Sequence, residues 1–336
     1  MVRHVLIGLG ALAIGSAGVG QAPMTRVETV SGALAIDKTT QTEDVRFRNE
    51  AYERMTVPVS VQGAGPFRFL VDTGADRTAI SRDIVNQLKL VAGSDASLHS
   101  IAGVSTVATA TVPNLQLTRS PVRVVDAPIL ERANMGADGI LGVDSLRSQR
   151  IVFDFEGQTM SIVPSAAREK MRDDHDAIVI QASRRNGRLV VTEARINGRS
   201  LTVVLDTGAQ VSVGNDALRR QLLGRRVPGD SQTVELQSVT GAKLTGEYMF
   251  VRELSLGGVS LRDLAVVFAD AHTFKQLGLN DRPALLLGMN AMRAFKKVSI
   301  DFANRKFRVL LPEHSALGVE LAAPRIREWT AAQRGL

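Results

Sequence analysis

Apolar and polar residues alternate in short runs along most of the chain. Val57-Val59-Val61 and Phe67-Phe69-Val71 are apolar at every second position, the pattern of strands buried on one face. A glycine-containing turn separates the two runs, as in a hairpin. Helix-like stretches are few and short, at Arg82 to Leu90 and Asp216 to Leu223. Further β-rich segments contain Gly103 and Gly241, and apolar strands lie around Val124–Val125 and Val266–Val267. The pattern predicts a mostly β protein with short helices.

The pattern runs twice. Residues 57–81 read VPVSVQGAGPFRFLVDTGADRTAIS and residues 191–215 read VTEARINGRSLTVVLDTGAQVSVGN. Each is a strand, a turn, a second apolar strand, and then Asp-Thr-Gly-Ala. Further on, GILGVDSLRSQRIVFDFEGQTMSIV from Gly139 matches LLLGMNAMRAFKKVSIDFANRKFRVL from Leu285, aligning Gly142 with Gly288 and Phe153-Asp154-Phe155 with Ile300-Asp301-Phe302. The halves are two copies of one unit, placed at 51–163 and 177–312. The charged stretch 164–176 reads as the linker, 21–50 as a polar leader, and 313–336 as a tail with a short helix near Trp329.

The N-terminus breaks the alternation. Arg3 and His4 precede an uncharged apolar run from Val5 to Val19, with Gly18 and Gly20 placed like the small residues of a signal-peptidase site. Residues 1–20 therefore read as an export signal cleaved near Gln21, which predicts a periplasmic or secreted protein. The alternative is an uncleaved anchor in an inner membrane. The run is short for a hydrocarbon core of roughly 30 Å and rich in glycine, which favours cleavage.

Composition removes several chemistries. The absence of cysteine excludes disulfides, thiol catalysis and thiolate metal sites. His4, His99, His175, His272 and His314 have no metal-ligand spacing, so no metal or cofactor is expected. The net charge of +7, or +6 without residues 1–20, is scattered rather than striped, and two Tyr and one Trp make a poor platform for bases. Nucleic acid is therefore not an expected partner, whereas weak attraction to an anionic membrane surface is.

One Asp-Thr-Gly could be no more than a turn capped by its own aspartate. Two copies of Asp-Thr-Gly-Ala at the same place in a repeat, each with an apolar-apolar-Gly element downstream (Ile140-Leu141-Gly142 and Leu286-Leu287-Gly288), point to a site. At these residues the chain resembles the pepsin and retropepsin superfamily of aspartic peptidases. The resemblance covers roughly 55–312, and the repeats (57–163 and 191–311) are closer in length to retroviral protomers than to pepsin lobes. It implies two retropepsin-like β lobes with an active site between them, so that a monomer forms an internal pseudo-dimer acting on protein or peptide substrates.

The resemblance assigns Asp72 and Asp206 as the catalytic pair. Two adjacent carboxylates cannot both ionise, so they share a proton. One activates water while the other polarises the scissile carbonyl. Gly74 and Gly208 let backbone approach the carboxylates, and Thr73 and Thr207 are expected to exchange hydrogen bonds between lobes. Ala75 and Ala209 stand where pepsins carry a hydroxyl, which predicts a dyad titrating higher than theirs. Asp76 corresponds to a residue that binds substrate backbone in retroviral enzymes, although a plain surface charge is the competing reading. Its counterpart is Gln210, so the cleft should be asymmetric. Flaps are expected at Leu98 to Val107 and Gln237 to Leu244, with Gly103 and Gly241 at tips that touch substrate. Neither contains a pepsin-type tyrosine, and His99 reads as a core or surface histidine. Two alternatives remain: a peptide-binding module without turnover, and lobes that pair between chains as a homodimer.

Overall fold

The computed structural model describes residues 55–117, 122–167, 177–185, 188–224 and 232–312, with three short strands, Arg3–Leu6, Leu12–Ile14 and Glu43–Arg46, added at sheet edges. The expected export signal (1–20) and leader (21–50), most of the expected linker (164–176) and the tail (313–336) otherwise lie outside the described residues.

The first half closes into a barrel. Its strands run in the order Val122–Leu130, Ala79–Ser81, Gly139–Leu141, Ala64–Val71, Thr56–Val61 and Thr109–Gln116, the last pairing back onto the first. Val57, Val59 and Val61 are all buried on one face, while Pro58 between them is exposed. The second half repeats this course. Arg188–Ile196, Arg199–Leu205, Ala284–Leu287, Ser212–Gly214, Val259–Phe268 and Lys243–Leu256 lie side by side, and pairing of Ala194 with Leu256 closes the ring. The fold is mostly β, with two barrel-like lobes.

Each lobe carries a short helix after its Asp-Thr-Gly-Ala loop. Ser81 accepts a hydrogen bond from the Ile84 N–H at the start of Arg82–Leu88, and Asn215 accepts one from Leu218 at the start of Asp216–Leu223. These caps satisfy N–H groups that have no partner inside the helix. The first helix ends at Leu88, short of the expected Leu90, because Lys89 turns into the left-handed region.

The terminal hairpins of the two lobes fuse. Gln149–Asp154 pairs antiparallel with Lys297–Asp301, setting Ile151 against Ile300 and Phe153 against Val298. Thr159–Pro164 flanks this pair on one side, with Lys306–Leu310 and Ala177–Gln181 on the other. Ile151, Phe153, Ile300 and Phe307 are fully buried in an apolar cluster that also contains Val57 and Phe69 from the first barrel and Val203 and Leu285 from the second. One core therefore runs through both lobes. Among the described residues no helix is long and apolar enough to cross a membrane.

Candidate active site

Asp72 and Asp206 each follow a central strand and begin a loop that crosses an apolar-apolar-Gly strand. The Asp72 N–H donates to the Leu141 carbonyl and that of Asp206 to the Leu287 carbonyl, both at 3.0 Å. The crossings are tight. A Cβ on Gly142 would lie 2.4 Å from the Arg77 carbonyl carbon, and one on Gly288 would lie 2.7 Å from that of Val211. Each loop is braced from the far side of its glycine. Asp144 Oδ1 accepts from Thr78 N and Thr78 Oγ1, and Asn290 Oδ1 accepts from Ser212 N and Ser212 Oγ. Thr78 Oγ1 and Ser212 Oγ in turn accept the N–H groups of Gly142 and Gly288.

The two loops meet between the lobes. Thr73 N donates to Thr207 Oγ1 and Thr207 N to Thr73 Oγ1, both at 3.1 Å. The same hydroxyls donate onward, Thr73 Oγ1 to the Leu205 carbonyl at 2.9 Å and Thr207 Oγ1 to the Val71 carbonyl at 2.7 Å. Each hydroxyl thus donates and accepts across the interface, which fixes one loop against the other. Each carboxylate also rests on the glycine of the opposite motif. A Cβ on Gly74 would fall 2.6 Å from Asp206 Oδ1, and one on Gly208 would fall 2.3 Å from Asp72 Cγ.

The carboxylates are buried. Asp72 Oδ1 accepts the Gly74 N–H at 2.8 Å, and Asp206 Oδ1 accepts the Gly208 N–H at 3.0 Å. Asp206 Oδ2 is buried with no hydrogen-bond partner among the described residues. Burial pushes the Asp206 carboxyl well above its ordinary range, and the charge of Asp72 pushes it further. Arg188 and the N–H groups of Gly208 and Ala209 pull the other way.

Residues 57–148 match the family described as gag-polyprotein putative aspartyl protease, and residues 192–291 match the aspartyl protease family. The chain belongs to the aspartyl proteases, with one such match in each lobe. Among solved structures it is similar to a retropepsin-like aspartic protease from Rickettsia conorii, at 17% identity and a TM-score of 0.29 over 40% of this chain and 89% of that one. No curated protein matches.

In this two-lobed aspartyl protease, Asp76 is only partly exposed. Arg188 of the other lobe sits 3.7 Å from Asp76 Oδ1, with side-chain exposures of 1% and 27% respectively. None of the three Arg188 guanidinium nitrogens has a hydrogen-bond partner among the described residues. Burial raises the Asp76 carboxyl to about 6; Arg188 opposes the rise, and Asp72 and Asp144 add to it. Arg188 was not singled out from sequence, yet a signal exists: Arg54 and Arg188 hold equivalent places before the two motif aspartates. Arg54 itself lies outside the described residues.

The flaps are hairpins, Ala96–Ser100 with Gly103–Val107 and Gln232–Gln237 with Lys243–Leu256. Their tips, Ser100-Ile101-Ala102-Gly103 and Ser238-Val239-Thr240-Gly241, are repeat images. In each, the serine hydroxyl accepts the N–H two residues on, and the closing glycine has positive φ, 137° at Gly103 and 84° at Gly241. Each tip docks on the opposite lobe. Ile101 is buried in a cluster with Val204, Ala209 and Phe274, and Val239 in one with Leu70, Ala75 and Met135. The motif alanines thus belong to the apolar clusters that receive the flap tips. A Cβ on Gly241 would meet Asn134 of the other lobe at 2.8 Å.

Proposed function

We propose that the chain is an aspartic endopeptidase in which Asp72 and Asp206 activate a water molecule against a peptide carbonyl. The observation that carries this reading is the packing of each carboxylate on the glycine of the opposite motif. That arrangement brings two acids into one buried space, where only one can ionise. Burial and the Asp72 charge push the Asp206 carboxyl up, so the buried pair holds one proton, and its titration belongs to the pair. The ionised carboxylate takes a proton from water while the protonated one donates to the scissile carbonyl. The roles then reverse as the leaving amine is protonated.

The substrate class, protein or peptide, follows from the family. The apolar stretch Val5 to Val19 after Arg3 and His4 supports export to a periplasmic or extracellular space, or attachment to an inner membrane if it is retained. In that setting the substrates are envelope or secreted proteins.

The test is cleavage of a mixed peptide library by the wild type, Asp72→Asn and Asp206→Asn. Either substitution should abolish cleavage while the circular dichroism spectrum is unchanged. Peptide capture without turnover by the wild type would indicate a binding module. Substantial activity in Asp206→Asn would indicate a site built from first lobes of two chains.

A further inference from the structure

Each flap reaches the opposite lobe through a polar pair, and the two pairs are images of each other under the duplication. One shift along the sequence carries residue 99 to 237 and residue 134 to 272. His99 and Gln237 stand two residues before the buried tips Ile101 and Val239. Asn134 and His272 lie on the short helices Arg132–Met135 and His272–Gln276. Gln237 Nε2 donates to Asn134 Oδ1 at 3.2 Å. In the other pair, His99 Nδ1 lies 2.9 Å from His272 Nε2, with the rings stacked 5.2 Å apart at 12°. The first flap is therefore held by two groups that titrate, and the second by two that do not.

We propose that His99 and His272 form a proton-operated latch that holds the first flap shut near neutrality and lets it go in acid, while Gln237 and Asn134 hold the second flap at any pH.

Two neutral imidazoles meet this geometry well, one donating and the other accepting. One added proton still leaves an acceptor at the contact. A second leaves N–H facing N–H between two stacked cations, and the bond is gone. The surroundings resist that charge. His272 is depressed by burial first and then by Lys275, with Asp270 acting against them. Asp270 is itself engaged by Lys275 at 2.9 Å, and Gln276 Nε2 lies 3.2 Å from His272 Nε2. The two strands flanking His99 set the uncharged Val104 and Leu6 opposite it, with His4 and Arg3 further along the second strand, opposite Ser97 and Ala96. The shut form thus binds protons less tightly than the open form. By linkage, closure is undiminished above the ordinary histidine value of about 6.5 and weakens as pH falls below it. The main chain adds a bond at the same place, from His272 N to the Ile101 carbonyl at 2.9 Å, so release at the rings frees the tip as well.

Hydrogen exchange on the full chain, read by mass spectrometry from pH about 7.5 to about 5 with times scaled for intrinsic exchange, tests this directly. Protection in 96–107 should fall several-fold below about pH 6, while 232–242 should keep its protection and so report that the lobes stay folded. The double variant His99→Gln/His272→Asn rebuilds the second latch in place of the first. It should remove the pH step while leaving protection near neutrality within about twofold. If that variant does not fold, His99→Gln alone serves, since Gln can still accept from a protonated His272. A wild type whose two flaps respond alike to pH, or a variant that keeps the step, would overturn the latch. The readout does not depend on peptide cleavage, so its failure is distinct from failure of the peptidase reading.

Discussion

Gly74 and Gly208 each lie against the carboxylate of the opposite copy, and a methyl group is too large for either place. With a Cβ of Gly208 falling 2.3 Å from Asp72 Cγ, Gly208→Ala must push the lobes apart or turn the carboxylate away. Peptide cleavage should be lost, and urea denaturation should show a cost of about 1–3 kcal/mol from overpacking. Arg188 and Asp76 give a contrasting pair. Asp76→Asn leaves the buried Arg188 without its nearest anion and should destabilise by about 3 kcal/mol; Arg188→Met removes the charge itself and should cost less on the same assay. Its kinetic signature differs too. The Arg188 charge holds both Asp206 and Asp76 down, so without it both carboxyls climb further above the ordinary range. Because the pair must carry one negative charge, the acid limb of kcat/KM against pH should move to higher pH in Arg188→Met.

At the level of elements, strands and motifs were legible because their signals are local. Val57-Val59-Val61 alternates whatever it packs against, and the doubled Asp-Thr-Gly-Ala with its downstream Gly142 and Gly288 identified both crossing loops. The contacts that join elements were not legible, because each depends on a partner far along the chain. In sequence His99 reads as an ordinary core or surface histidine, because its partner His272 is 173 positions away. The tips at Ile101 and Val239 gave no hint that each would be received by the other lobe. The brace residues Asp144 and Asn290 sit two places after Gly142 and Gly288, visible in the repeat but without an obvious task until the loops are seen to cross. Asp144→Ala removes two hydrogen bonds to Thr78, and Asn290→Ala two to Ser212. Each should lower stability by about 2 kcal/mol in urea denaturation, and the equality of the two losses would reflect the shared design of the lobes.

For the molecule as a whole, the threonine exchange, the crossed flaps and the fused terminal hairpins all lie between halves of one chain. Activity per molecule should therefore be constant over a dilution series, with sedimentation run in parallel. A loss on dilution would place the working partner in a second chain. The fused sheet also has a consequence for biosynthesis. Gln149–Asp154 waits for Lys297–Asp301, which lies close to the end of the described chain. Until that late strand has been made and delivered, the first lobe has an open edge and a half site. A protease assembled this way has no means of cutting before Lys297–Asp301 has been made.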